Sequence, residues 1–249
     1  PPQSRDFDDA MSIQIKDDNT YILSIYISNV SLWLDALGLW ESFSERIATI
    51  YLPDRKRPML PTCLADCLCS LIENLRRFAI VCDVTVCNNE IVDISYKNTL
   101  IKVRKNFRYE EKSMKNDRTY CTILQKVKIL SRKYKFVRCV NDSHDLIAYV
   151  MILMNYYSAK EMIKHKNGVY RSAVLGNIPD IPDDLPDEFV KFIKIWNSSG
   201  GQYVTYCDEI THDILDLDSY IHVSSPIRRL PDLLNIIKIQ QNLNITSLT

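Results

Sequence analysis

The sequence predicts a mixed α+β domain of the α/β class, and three observations carry that expectation. Apolar and polar residues alternate over residues 10–16 and 21–28, the pattern of half-buried strands. A helical segment runs from about Ser143 to Lys166 between recognisable start and stop signals. Apolar residues make up 46% of the 249 and charged residues 25%, the balance of an ordinary globular chain that can bury a core.

The first two strands form a hairpin around Asp17-Asp18-Asn19-Thr20, residue types that bond their own backbone in turns. Leu23, Ile25 and Ile27 share one face of the second strand. A helix is expected from about Ser42 to Ile50. Beyond it Pro53, Pro58 and Pro61 keep YLPDRKRPMLP extended, because each removes a backbone donor and crowds the preceding turn. A short helix over 62–70 and strands over 78–87 and 90–103 follow.

Residues 104–138 interleave basic and aromatic side chains, among them Arg104, Lys105, Phe107, Arg108, Tyr109, Lys112, Lys115, Arg118, Arg132, Lys133, Lys135 and Arg138. Such a run can face a phosphate backbone. Glu110, Glu111 and Asp117 interrupt it, so a solvated helix face is the favoured reading. In the long helix, Asn141, Asp142 and Ser143 offer N-caps and Asn167-Gly168 the stop, with Leu146, Val150, Leu153, Met154 and Tyr157 as a core stripe. An acidic, proline-rich loop over 177–188 leads to a short helix ending near 198–201. The last stretch, SSPIRRLPDLLNIIKIQQ, reads as an apolar helix opened by its Ser-Pro pair.

Composition excludes several functions. Only five glycines occur, and neither a G-x-x-x-x-G-K nor a G-x-G-x-x-G pattern is present, which excludes the usual nucleotide-cofactor loops. The formal net charge is zero, so any case for nucleic acid must come from local patches. The eight cysteines include C-x3-C-x-C within LPTCLADCLCSL, which lacks paired zinc knuckles. Its apolar setting predicts mostly buried, unbridged thiols in a reducing, intracellular and most simply cytoplasmic home. No apolar run reaches the ~18 residues of a membrane span, and no signal peptide is visible. A first residue of Pro marks a processed chain or a fragment.

Three stretches carry candidate chemistry. Asp6, Asp8 and Asp9 are clustered like charges just before a strand, which calls either for open solvent or for a cation. Hard oxygen donors at such spacing suit Mg²⁺, completed by substrate phosphate, and two ions roughly 3.5–4 Å apart would serve phosphodiester hydrolysis. Ser225-Pro226-Ile227-Arg228-Arg229 stands at a helix start, where backbone N–H groups and one guanidinium could grip phosphate; a surface arginine pair beside Asp232 is the plainer reading. Tyr51 could offer its ring to a base or sit in the core.

In combination, DxDD after PPQSR, then YLPDRKRPMLP, LADCLCSL and YIHVSSPIRRLPDLLN resemble, in order and approximate spacing, the RNB-domain exoribonucleases of the ribonuclease II and ribonuclease R type, which include the hydrolytic subunit of the exosome. The resemblance covers Pro1 to about Gln241. It implies a single RNB-type domain over 1–249, with a mixed sheet flanked by helices around an RNA channel. It further implies 3′→5′ hydrolysis of single-stranded RNA to 5′-nucleoside monophosphates with Mg²⁺, or Mn²⁺ as the alternative ion. Asp6, Asp8 and Asp9 match the family's metal-site aspartates, Asp8 being the one most tied to catalysis. Tyr51 matches the aromatic stacked near the 3′-terminal base, and Arg228, with Ser225 in the same SPIR motif, the group that holds phosphate. Partners implied are RNA, an RNA-decay complex or additional OB-fold domains, with no membrane and no nucleotide cofactor.

The chain also departs from the family. A fourth aspartate expected directly before the Pro-Pro pair lies outside it. Ala148 and Tyr149 stand where the long helix carries glutamates, an insertion bearing a second stacking aromatic is too short, and flanking OB-fold domains are absent. These departures set up the alternative of a catalytically impaired relative that binds RNA or a protein partner.

Overall fold

The computed structural model describes residues 6–42, 46–173, 185–196, 201–207 and 210–245. The alternating start of the chain becomes a hairpin. Strand β1 (Asp9–Ile15) pairs antiparallel with β2 (Thr20–Ser28), Asp9 lying opposite Ile27 and Ile15 opposite Tyr21. Asp17 closes the turn by accepting the N–H groups of Asn19 and Thr20 at 2.9 and 2.7 Å. Helix α1 (Val30–Ala36) follows, then a ribbon of β3 (Ile50–Tyr51) and β4 (Lys56–Arg57), and a π-helical turn at Cys63–Cys69. Strands β5 (Arg76–Cys87) and β6 (Glu90–Lys102) form a second hairpin whose turn residues Asn88 and Asn89 both adopt positive φ, which asparagine tolerates.

The main sheet has the order β1-β2-β5-β6 and is antiparallel throughout, not mixed as expected. Two local hairpins joined at β2 and β5 produce that result, since each turn reverses the chain. Helices α2 (Lys112–Lys115), α3 (Arg118–Leu130) and α4 (Ser143–Lys164) come next. Strand β7 (Val169–Ser172), helix α5 (Asp187–Trp196), strand β8 (Gln202–Thr205) and helix α6 (Leu230–Asn242) complete the described elements, with β7 and β8 paired.

One core lies between the sheet and the helices. Leu23, Ile25 and Ile27 meet Ile80, Cys82, Val84 and Val86, and α4 adds Leu146, Tyr149, Val150, Leu153 and Met154. Tyr157 of the expected stripe is only partly buried. The N-cap of α4 is as predicted, Asp142 accepting the N–H of Asp145 at 2.9 Å; at its other end the chain turns left-handed at Lys166, φ +49, two positions before the expected Gly168. A second cluster, Val30, Leu34, Met59, Leu60, Leu64, Ala65 and Cys69, packs on Ile227 and Leu233. It fixes the segment before α6 against the first third of the chain.

Three sequence expectations are corrected. Residues 46–50 of the expected helix are extended, because Thr49 N–H donates to the Arg228 carbonyl and Leu230 N–H to the Ile47 carbonyl, both at 2.9 Å. These distant partners outweigh local helix preference, which the β-branched Thr49 and Ile50 weaken. Helix α6 starts at Leu230, with Pro231 in its first turn, so SSPIRR is a turn before the helix. Of the eight cysteines, all free, only Cys69 and Cys82 are buried; Cys63 and Cys67 lie on the outer side of the π-helical turn. The expected loop over 177–188 lies largely outside the described residues, as does the end of its helix at 198–200. Among the described residues no helix is long and apolar enough to cross a membrane.

The basic run behaves as a solvated face. Arg104 pairs with Asp117 and Lys115 with Glu110, each at 2.6 Å, and Lys133 pairs with Glu90. Such exposed pairs contribute little to stability.

Candidate active site

Two distant segments meet at the start of β1. The residues entering the strand are pinned by Phe7, whose N–H donates to Ser70 Oγ at 3.0 Å and whose carbonyl accepts Leu71 N–H at 2.9 Å. The Asp8 carbonyl accepts Ser28 N–H at 2.8 Å. Opposite them, the turn before α6 is shaped by Asp232, whose Oδ1 accepts Ser225 N–H at 2.7 Å and Arg229 Nη2 at 2.8 Å. The backbone around Arg228 therefore faces Asp8, from which it is separated by 220 positions.

The three aspartates have different surroundings. Asp6 is buried, accepts the Tyr51 hydroxyl at 2.5 Å and lies 3.5 Å from Lys56 Nζ. Lys56 is also bonded to Asp66 at 2.8 Å. Asp8, 3% exposed, accepts Ile227 N–H on Oδ1 at 2.9 Å and Arg228 Nε on Oδ2 at 3.1 Å. Burial nevertheless pushes its carboxyl up to about 8, the Ile227 N–H and Arg228 lowering it only in part. Burial raises Asp9 as well, against the pull of Arg228. Asp9 has no ion-pair partner among the described residues.

The remaining sequence candidates are placed as follows. Tyr51 is 53% exposed, which answers the choice between core and surface: its ring is open while its hydroxyl is held by Asp6. Burial, the Asp6 hydrogen bond and the Asp6 charge all push that hydroxyl upward. Arg228 remains 44% exposed in its side chain, and its Nη2 donates to Ser225 Oγ at 2.8 Å. Ser225 itself is buried, so its hydroxyl orients the guanidinium from below. Ala148 is exposed on α4, and Tyr149 points into the core, so neither supplies a carboxylate.

Three contributors are not singled out by the sequence. Lys56 lies within the quoted YLPDRKRPMLP, but its pairing with Asp6 spans 50 positions and leaves no local signal. Asp232 was legible only as a neighbour of the arginines. Tyr109, one aromatic within the basic run, stacks on His144 with ring centroids 3.9 Å apart, and its hydroxyl is influenced by burial first, then by Asp9 and Arg228. The signal for it was the aromatic interleaving of that run.

The carboxylates do not form a three-ligand cage: among the described residues no group of three or more His, Cys, Asp or Glu side chains is arranged to hold a metal. Asp8 and Asp9 supply hard carboxylate oxygens beside Arg228, a donor chemistry that suits a divalent cation, with Asp8 also bonded to Ile227 N–H and Arg228 Nε. Asp6 is likewise held, by Lys56 Nζ and the Tyr51 hydroxyl.

Comparison with known proteins places the chain among RNB-domain relatives. Residues 1–119 match the family model of the RNB domain. The chain is 28% identical, over 306 aligned residues, to Ribonuclease R of Buchnera aphidicola subsp. Schizaphis graminum, a match covering 93% of this chain and 42% of that protein. In fold it is similar to RNase R of Mycoplasma genitalium, solved in complex with double-stranded RNA: TM-score 0.75, 18% identity, 99% of this chain and 56% of that one. It is equally similar to yeast Ssd1, described as a pseudonuclease, with TM-score 0.78, 13% identity, 97% of this chain and 38% of that one. The chain thus spans less than half the length of the curated relative it matches.

Proposed function

We propose, given that this chain belongs to the RNB-domain family, that it is the catalytic part of a hydrolytic, magnesium-dependent 3′→5′ exoribonuclease acting on single-stranded RNA and releasing 5′-nucleoside monophosphates. The single observation that carries the reading is the convergence of Asp8, Asp9 and a half-exposed Arg228 from opposite ends of the chain. Asp8 and Asp9 are the residues that would hold magnesium, and the chemistry a bound ion supplies is Lewis-acid stabilisation of charge on the scissile phosphate. Arg228, steadied by Ser225 Oγ and Asp8, presents the rest of its planar fork to a phosphate oxygen, where preorganised positive charge favours the transition state. The exposed rings of Tyr51 and Tyr109 flank this point and suit stacking by unpaired bases, which tolerates any sequence.

A second reading has its own observation. The Lys56–Asp6 pair and the absence of a carboxylate at Ala148 and Tyr149 favour an RNA-binding relative that does not cut, and similarity to a protein described as a pseudonuclease fits it. The test is release of labelled mononucleotide from 3′-labelled single-stranded RNA with magnesium, beside Asp8→Asn. Magnesium-dependent product that disappears in the variant supports hydrolysis. RNA retained intact by a chain extended upstream of Pro1 rejects it in favour of binding alone.

A further inference from the structure

We propose that Arg171, displayed on the ring of Tyr203, is a second phosphate-binding station, which takes a backbone phosphodiester of the RNA strand on the 5′ side of the one at Arg228. The inference rests on the RNA reading above and extends it from one contact to a path. Arg228 and Arg229 are each matched by a buried carboxylate, Asp8 and Asp232. Arg171 is half-buried on β7 and has neither an ion pair nor a side-chain hydrogen bond among the described residues. A guanidinium removed from much of its water and left without an acceptor calls for an anion.

Its surroundings fix where that anion lies. β7 and β8 set Arg171 directly opposite Tyr203, and the guanidinium carbon lies 5.0 Å from the centre of that ring. Tyr203 is steadied in turn by its hydroxyl, 2.8 Å from His222 Nδ1. Gly201 closes in on the same guanidinium: a Cβ there would stand 2.4 Å from its carbon. The planar fork is thus held by a ring and by bare backbone, which leave its N–H donors for a ligand, and such a fork matches phosphate oxygens in pairs.

The station is continuous with the candidate site. The Arg171 N–H donates to the Tyr220 carbonyl at 2.8 Å, and His222, close by in the same segment, feels the charges of both Arg171 and Arg228. A 3′ end processed at Arg228 leaves only the 5′ side of the strand to reach Arg171. Tyr203, 40% exposed, adds aromatic surface for an unpaired base.

The experiment measures affinity by competition against labelled RNA, in an Asp8→Asn background so that cleavage does not intervene. Arg171→Gln is expected to weaken a single strand of about twelve nucleotides by roughly five- to tenfold, and to lower its salt-dependence slope by about 0.7, the share of one phosphate contact. A dinucleotide, whose single phosphodiester is the one at Arg228, binds the variant and its parent alike. Arg171→Lys, which keeps the charge without the fork, recovers the salt dependence and only part of the affinity. Gly201→Ala keeps both charge and fold, since only the far end of a flexible side chain must move, and is expected to weaken the long strand too. That variant carries the test where Arg171→Gln melts early. Full affinity for the long strand in both Arg171→Gln and Gly201→Ala overturns the proposal and leaves the reading of the site standing. A loss as large with the dinucleotide, or with a nucleoside 5′-monophosphate alone, overturns it too, because Arg171 then holds the end group. A parent that binds no RNA of either length overturns the proposal together with the reading beneath it.

Discussion

Arg228 and Arg229 are adjacent in sequence and each meets a buried aspartate, yet they do different work. Arg229 turns inward to Asp232, which is fully buried and also holds Ser225 N–H; that pair shapes the turn before α6. Arg228 turns the other way, to Asp8, and keeps nearly half of its side chain exposed. The closed pair is architecture, and the open one is available to a ligand. The contrast teaches that an arginine pair at a helix start is read correctly only once each partner carboxylate is located.

The widest separation of the two roles comes from truncating each arginine. Arg228→Ala is expected to lower turnover by about 10²–10³-fold, the loss seen when one group stabilising transition-state charge is removed. Its cost in stability is smaller, about 1 kcal/mol, because the Arg228 side chain is 44% exposed, so water screens the pair, and Asp8 keeps the Ile227 N–H. Arg229→Ala leaves Asp232 buried with one backbone donor, at a cost of about 3 kcal/mol, or some 6–12 °C in melting temperature for a domain of this size. Steady-state turnover and thermal melts on both variants check this. Equal losses of stability would erase the distinction between an open and a closed pair.

That distinction explains how far the sequence could be read. The hairpin of β1 and β2 was legible because alternation and the Asp17 turn are local, and α4 because Asp142 caps its start and its apolar stripe is local. Residues 46–50, expected within a helix from about Ser42 to Ile50, are extended because their partners are the Arg228 carbonyl and Leu230 N–H, some 180 positions away. The start of α6 was placed early because two prolines, Pro226 and Pro231, carry the same signal, and only the Asp232–Ser225 bond selects the second. In the site, Asp8 and Arg228 were legible through motifs. Lys56 opposite Asp6 and Tyr109 stacked on His144 were not, since both depend on which side chains the fold brings together.

A smaller effect is expected at the rim of the open pair. Tyr109 is 53% exposed, stacked on His144 and close enough to Asp9 and Arg228 for their charges to act on its hydroxyl. Tyr109→Ala should weaken binding of single-stranded RNA by roughly tenfold, about the 1–3 kcal/mol of one base–aromatic stack, with Tyr109→Phe close to wild type. Fluorescence anisotropy with Asp8→Asn as the background separates binding from cleavage. Unchanged affinity in the alanine variant would move the RNA path away from this rim.

The smallest effect lies behind the closed pair. His222 donates to or accepts from the Tyr203 hydroxyl at 2.8 Å, and its proton affinity is lowered to about 3, by burial first and then by Arg229, Arg171, His212 and Arg228. The folded protein therefore disfavours the charged ring, while the unfolded chain takes up a proton near pH 6.5. Stability that is full above that value is lost as pH falls through the window toward 3, by roughly 1–2 kcal/mol between pH 7 and pH 5. His222→Asn removes the titrating ring and should flatten the acid limb of the melting-temperature profile by that amount. Arg228→Ala should leave the limb nearly as steep, because Arg228 is the last and weakest of the causes and Arg229 is the first of the charges. A limb equally steep in His222→Asn would assign the acid sensitivity to some other group and leave the closed pair without this consequence.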